Sequence, residues 1–133
     1  MSDLVLDTHA IVWYLARSPR LSSAAKAAIK AAVDAGGTLY VSAISFAELV
    51  YLEEKGRLPS GTREGLMAEL AQGDTALDEV PLTAAIAAAM TKVARTAVPD
   101  LPDRVLAATA IHLGLPLVTA DAEIRNSGVR TIW

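Results

Sequence analysis

Leu4-Val5-Leu6-Asp7-Thr8-His9-Ala10-Ile11-Val12-Trp13-Tyr14-Leu15 places two periodicities in direct succession. Leu4 to Leu6 is a continuous apolar run, the pattern of a short buried strand, and from Ala10 to Leu15 the apolar residues recur at helical spacing. An acid stands at the junction. A strand that passes at once into a helix is the repeating unit of an α/β fold, and the rest of the chain is read outward from it.

Ser22 or Ser23 has N-cap chemistry ahead of an alanine-rich helix over 24–35, which Gly36-Gly37 stops. Leu39-Tyr40-Val41 is a second strand. A helix begins near Ala43 or Ser45 and runs to about Lys55, with Gly56 as its stop; Pro59-Ser60-Gly61 turns the chain into a helix over 64–71. The pattern then predicts a strand over 76–80, a helix over 82–96, a loop over 98–102 and a helix over 103–113 closed by Gly114. Leu117-Val118-Thr119 reads as a buried strand, Asp121 opens a short helical turn, and 129–133 forms a last strand. Strands alternating with helices predict an α/β architecture of three layers, a mostly parallel central sheet flanked by helices, in one domain spanning residues 1–133.

Composition narrows the chemistry. The 133 residues contain no cysteine and two histidines, His9 and His112, so disulfides and thiolate sites are excluded and any metal is held mainly by oxygen. The formal net charge of −3 argues against coating nucleic acid by bulk electrostatics, although acids gathered around cations can still attract phosphate. No apolar run reaches the roughly 18 residues that span a bilayer, and Met1-Ser2-Asp3 lacks the basic start of a secretory signal. A cytoplasmic protein without a membrane partner is expected.

Ligands of open parallel sheets bind outside the carboxyl ends of the strands. Asp7 follows the first strand immediately, and Asp121 lies two residues beyond Thr119. Glu48 and Asp103 are expected in first turns of helices that start from the same edge. Each has a simpler explanation as a helix-start acid, and Ser45-x-x-Glu48 has the spacing of a capping box. Their convergence is harder to explain that way. At an effective dielectric of 20, two bare carboxylates 4 Å apart repel by about 4 kcal/mol, so four converging acids call for protons or cations. Magnesium or manganese is the natural counter-ion, and a hard cation that acidifies a bound water suits phosphodiester hydrolysis. Thr8, Ser45 and Thr119 are candidates to orient the carboxylates, and the helix N-termini to offer N–H donors to a phosphate.

With these residues in place, the chain resembles the PIN domains and, among them, the VapC-type toxins of VapBC toxin–antitoxin pairs. The resemblance runs from Val5-Leu6-Asp7-Thr8-His9-Ala10 through Arg20-Leu21-Ser22, Val41-Ser42-Ala43, Glu48 and Lys55-Gly56-Arg57-Leu58-Pro59. It continues in Asp100-x-x-Asp103-Arg104, Leu117-Val118-Thr119-Ala120-Asp121 and Val129-x-x-Ile132-Trp133. It implies a ribonuclease whose Asp7, Glu48, Asp103 and Asp121 are catalytic and bind Mg2+ or Mn2+, an RNA substrate, a homodimer, and a VapB-like antitoxin that blocks the acidic site. Two positions depart from the usual pattern: Leu101-Pro102 stands where many relatives carry Pro-Phe, and Phe46-Ala47 lacks a tryptophan often found before the glutamate. Both changes are apolar and bear on substrate fit more than on the acids.

Asp100 is read as a loop residue or a support for the acids, and Arg104 as a phosphate contact, a partner of an acid or an exposed helical residue. His9 is expected to pack or cap locally, and His112 likewise. Trp13, Tyr14, Phe46, Tyr51 and Leu52 are candidates to line a groove for a partner helix, with core packing the alternative for Trp13 and Phe46. Competing readings are a non-catalytic PIN-fold module that binds RNA or protein, and a DNA-cleaving nuclease with the same acids. A phosphatase with an aspartate nucleophile lacks its second aspartate beside Asp7-Thr8-His9, and no Gly-x-Gly-x-x-Gly signals a dinucleotide.

Overall fold

The computed structural model describes residues 2–133. Its frame is a five-stranded sheet in which every neighbouring pair is parallel. The strands are β1 (Leu4–Leu6), β2 (Leu39–Ser42), β3 (Leu77–Val80), β4 (Leu117–Val118) and β5 (Thr131–Ile132), in the spatial order β3-β2-β1-β4-β5. β1 is therefore central, with Leu6 in register with Val41 on one side and Val118 on the other. Because successive side chains point to opposite faces, its three residues serve two cores. Leu4 and Leu6 pack with Ile11, Ile29 and Leu39, while Val5 packs with Leu106, Ala107, Leu117 and Ile124.

Among the described residues seven α-helices flank this sheet: α1 (Thr8–Leu15), α2 (Ser23–Asp34), α3 (Ala43–Glu54), α4 (Thr62–Gln72), α5 (Ala84–Ala89), α6 (Leu101–Leu113) and α7 (Ala122–Arg125). α2 shows how local sequence fixes an element. The Ser22 side chain caps it by accepting from the Ala25 amide, Ala25, Ile29 and Ala32 form the buried stripe, and Gly36 at φ +74° takes the left-handed turn after it. Gly37 sits in a tight approach: a Cβ there would lie 3.0 Å from the Ala32 carbonyl oxygen and 3.1 Å from Asp3 Oδ1, the atom that accepts from the Thr38 amide, so these neighbours would have to shift.

Most predicted elements are found within a residue or two. The helix expected over 82–96 is the exception, because regular helix covers only Ala84–Ala89 and continues as a 3-10 turn over Met90–Lys92. Two interactions set these limits. Thr83 caps the start by accepting from the Ile86 amide, and at the other end the Arg104 guanidinium donates to the carbonyls of Met90 and Val93, both at 3.0 Å. Val93 leaves in an extended conformation and is buried, so the next turn is traded for tertiary contacts. α6 starts two residues earlier than predicted, since Asp100 caps it and Pro102 fits its first turn, where a missing N–H costs nothing. The last strand is also shorter than expected, Thr131–Ile132.

Among the described residues no helix is long and apolar enough to cross a membrane. Leu6 is fully buried on the central strand. Leu6→Ala is expected to destabilise the chain by roughly 3–4 kcal/mol in urea unfolding, with a native-like circular dichroism spectrum in buffer; a loss below about 1 kcal/mol would contradict this packing.

Candidate active site

β1 delivers Asp7 to the carboxyl edge of the sheet. The Asp7 amide donates to the Val118 carbonyl at 3.1 Å, and its carboxylate accepts from the Ala10 amide at 2.7 Å, capping α1. Thr119 follows β4 and is fully buried; its hydroxyl oxygen accepts from the Asp121 amide at 3.0 Å, and its hydroxyl also faces Asp7. Asp121 in turn caps α7 by accepting from the Ile124 amide at 3.0 Å. In the order β3-β2-β1-β4-β5 the connections leave β1 and β4 toward opposite sides, so Asp7 and Asp121 flank the switch point where parallel sheets bind ligands.

Glu48 and Asp103 approach from helices. The capping-box reading of Ser45 and Glu48 does not hold: Ser42 caps α3, which places Ser45 in the first turn and Glu48 in the second. Glu48 instead reaches across to α1, where the Thr8 hydroxyl donates to its Oε1 at 2.6 Å and lies 2.8 Å from Ser45 Oγ. Asp103 occupies the first turn of α6, and its amide donates to Asp100 Oδ2 at 3.1 Å. Asp100 is thus a helix cap. The caps also alter the expected phosphate donors, because one first-turn amide of α1, α6 and α7 is already taken by Asp7, Asp100 or Asp121.

The acids feel one another. Burial pushes the carboxyls of Asp7 and Glu48 above their ordinary values, while hydrogen bonds from Thr119 and Thr8 respectively pull the other way. Asp103 is raised from 3.8 to about 7, first by burial and then by the charges of Asp121, Asp100, Glu48 and Asp7. No lysine or arginine answers this charge: among the described residues the ion pairs are Lys30–Asp34 and Arg63–Glu64, neither of them here. Arg104 is turned away, spent on the Met90 and Val93 carbonyls rather than on an acid. His9 contributes a favourable field at Asp7 and Glu48 but is exposed and leans on Trp13, ring centroids 5.6 Å apart and planes tilted by 44°. His112 is exposed in the last turn of α6.

An all-oxygen cluster without a lysine or arginine paired to it among the described residues has the donor chemistry that hard divalent cations prefer. The ring is open, however, since among the described residues no three acids or histidines stand close enough to hold one ion between them. The aromatic candidates separate. Trp13 and Tyr14 line a cleft of about 990 Å³ together with Leu21, Ile29 and Leu77, whereas Phe46, Tyr51 and Leu52 lie outside it. Trp13 also packs against Trp133, and Phe46 against the core.

The family model for the PIN domain matches residues 4–128. The chain belongs to the PIN-domain family. A PIN-domain relative, Ribonuclease VapC22 of Mycobacterium tuberculosis, is 34% identical over 126 residues, 95% of this chain and 92% of the relative. Solved structures share the fold. VapBC2 from Rickettsia felis, bound to a promoter DNA fragment, matches with a TM-score of 0.68 at 18% identity over 97% of this chain and 96% of the other. A toxin–antitoxin complex from Klebsiella pneumoniae matches at 0.64 and 18% over 98% and 96%, and FitAcB from Neisseria gonorrhoeae at 0.62 and 23% over 96% and 95%.

The charge in this PIN domain has a consequence for stability. Below the ordinary carboxyl pKa, Asp103 is protonated whether folded or not; between about pH 4 and about pH 7 the folded chain keeps a proton that the unfolded chain has lost, so stability falls as pH rises through that window. The metal-free chain should melt higher at pH 5 than at pH 7.5. Asp103→Asn should shallow this slope and raise Tm at pH 7.5 by roughly 3–6 °C, which corresponds to about 1–2 kcal/mol after discounting for partial exposure. A lower Tm for the variant, or a Tm that rises with pH across the window, would contradict the assignment.

Proposed function

We propose that the chain is a divalent-metal-dependent endoribonuclease and the toxin of a VapBC-type toxin–antitoxin pair. The observation that carries the reading is the cluster of four acids at the switch point, drawn from four separate elements with no lysine or arginine paired to them among the described residues. The substrate class rests on the ribonuclease to which the chain is 34% identical.

In this reading Asp7, Glu48, Asp103 and Asp121 would together hold Mg2+, or Mn2+ in its place, directly or through water. When bound, such an ion supplies Lewis-acid stabilisation of a phosphodiester and a water acidic enough to attack it. The chain's own residues do the rest. Asp7 and Asp121 are fixed as helix caps at the strand ends and present charge from immobile backbone, with Thr119 between them. Glu48 is tethered to α1 through Thr8, and Asp103, with its pKa near neutrality, gives up a proton when positive charge arrives. The reaction is hydrolysis of the P–O3′ bond, leaving 5′-phosphate and 3′-hydroxyl ends.

An antitoxin partner fits the toxin–antitoxin complexes that share the fold. The cleft walled by α1, α2 and residues from Glu69 to Leu77 has an apolar floor, and Arg17, Lys26 and Lys30 in its lining are balanced by Asp34, Glu69 and Asp74, the character expected of a dock for an amphipathic segment. In this proposal the toxin is a cytoplasmic homodimer.

The test is cleavage of a labelled RNA panel by antitoxin-free protein with Mg2+ or Mn2+, with chelator, and beside a matched DNA panel. Asp7→Asn and Asp103→Asn should each cut at least about 100-fold more slowly, the scale on which loss of one charge-stabilising group is felt. Metal-dependent cutting of RNA alone, lost in both variants, is the expected result. Equal cutting of DNA would redirect the assignment to a general nuclease, and folded wild type that binds RNA without cutting it would make the chain a binding module.

A further inference from the structure

Two hydroxyls beneath the acids form a directed chain. Thr8 and Ser45 are 2% and 0% exposed, one opening α1 and the other in the first turn of α3. Thr8 has a single hydroxyl proton, and it lies on the 2.6 Å bond to Glu48 Oε1. In the 2.8 Å contact between the hydroxyls Thr8 can then only accept, so Ser45 is the donor. The order is Ser45 to Thr8 to Glu48. Thr8 directly follows Asp7, and Ser45 lies three residues before Glu48 on the same face of α3. The chain therefore clasps the two helices that carry Asp7 and Glu48.

Without the clasp Glu48 has reason to leave. Its neighbours Asp100 and Asp7 repel it, it is only partly buried, and a glutamate side chain has three rotatable bonds through which to swing toward water. We infer that Thr8 and Ser45 are positioning residues: the Ser45 proton fixes the Thr8 rotor in the donor orientation, and Thr8 holds the Glu48 carboxylate within the acid cluster in readiness for a divalent cation. This rests on the reading of Glu48 as a cation-holding residue. Removing one buried proton should thus weaken a site it does not touch, and only while Thr8 is present to transmit the effect.

The experiment is titration of the full-length, antitoxin-free chain with Mn2+, following the free ion by electron paramagnetic resonance, with circular dichroism and melting to establish folding. Glu48→Gln is included as the measure of the site itself. Thr8→Val should weaken Mn2+ binding about tenfold, the scale of one hydrogen bond to a charged group, and Ser45→Ala about threefold. Thr8→Ser, which keeps the hydroxyl, should stay within about twofold of wild type, and Ser45→Ala should add nothing in the Thr8→Val background. If Glu48→Gln weakens binding while Thr8→Val and Ser45→Ala do not, the clasp is refuted and the metal reading stands. Equal effects of Ser45→Ala with and without Thr8 would refute transmission through Thr8. Unchanged binding in Glu48→Gln would overturn the metal reading and the clasp with it. If Thr8→Val does not fold, Ser45→Ala decides alone, and wild-type affinity there refutes the inference.

Discussion

Negative charge gathered at the carboxyl edge of a parallel sheet, with no lysine or arginine paired to it among the described residues, is the constraint around which this molecule is arranged. The strand order brings the ends of β1 and β4 together at the centre of the sheet, and each end carries an aspartate. Three of the carboxylates do two jobs. Asp7, Asp100 and Asp121 cap α1, α6 and α7, so the acids that build the field also anchor the helices that hold it. A cap stabilises by about 0.5–2 kcal/mol, which offsets part of the cost of holding acids close together. At Asp103 the rest of that cost shows as a pKa raised to about 7.

The support beneath the acids is apolar and hydroxylic. The central strand uses Leu4 and Leu6 for one core and Val5 for the other, so the position of Asp7 is set by packing on both faces of the sheet. Thr8, Ser45 and Thr119 are buried polar side chains whose oxygens bond to one another or to the acids' own segments, and among the described residues no buried side-chain oxygen or nitrogen lacks a partner. Such groups are tolerated in a core only when satisfied. Here the groups that satisfy them are the acids and their backbone.

Much of this was legible in the chain. The run Leu4 to Leu6 followed by Asp7, and Leu117 to Thr119 followed by Asp121, locate two strand ends and two acids by hydrophobic periodicity alone. Glu48 and Asp103 were legible as residues that start from the same edge, but not for the right local reason. Ser45-x-x-Glu48 imitates a capping box because a spacing of three also puts two side chains on one helix face, and only the neighbouring helix shows which use is made of it. Asp100 before Leu101-Pro102 carried a readable cap signal, yet the adjacent prolines made the segment look like a loop. What the sequence did not show was the use made of Arg104: its bonds to Met90 and Val93 join residues 14 and 11 positions apart, and they end a helix whose own alanines would have prolonged it.

The central claim is that the charge at the sheet edge awaits a divalent cation, and proton release on metal binding tests it most directly. Calorimetric titration with Mn2+ at pH 7, repeated in buffers of different ionisation enthalpy, counts the protons set free. Asp103, with its pKa about 7, is near half-protonated there, so the account predicts release of about half a proton or more per ion. Binding with no proton released, or no binding at millimolar Mn2+, would contradict it.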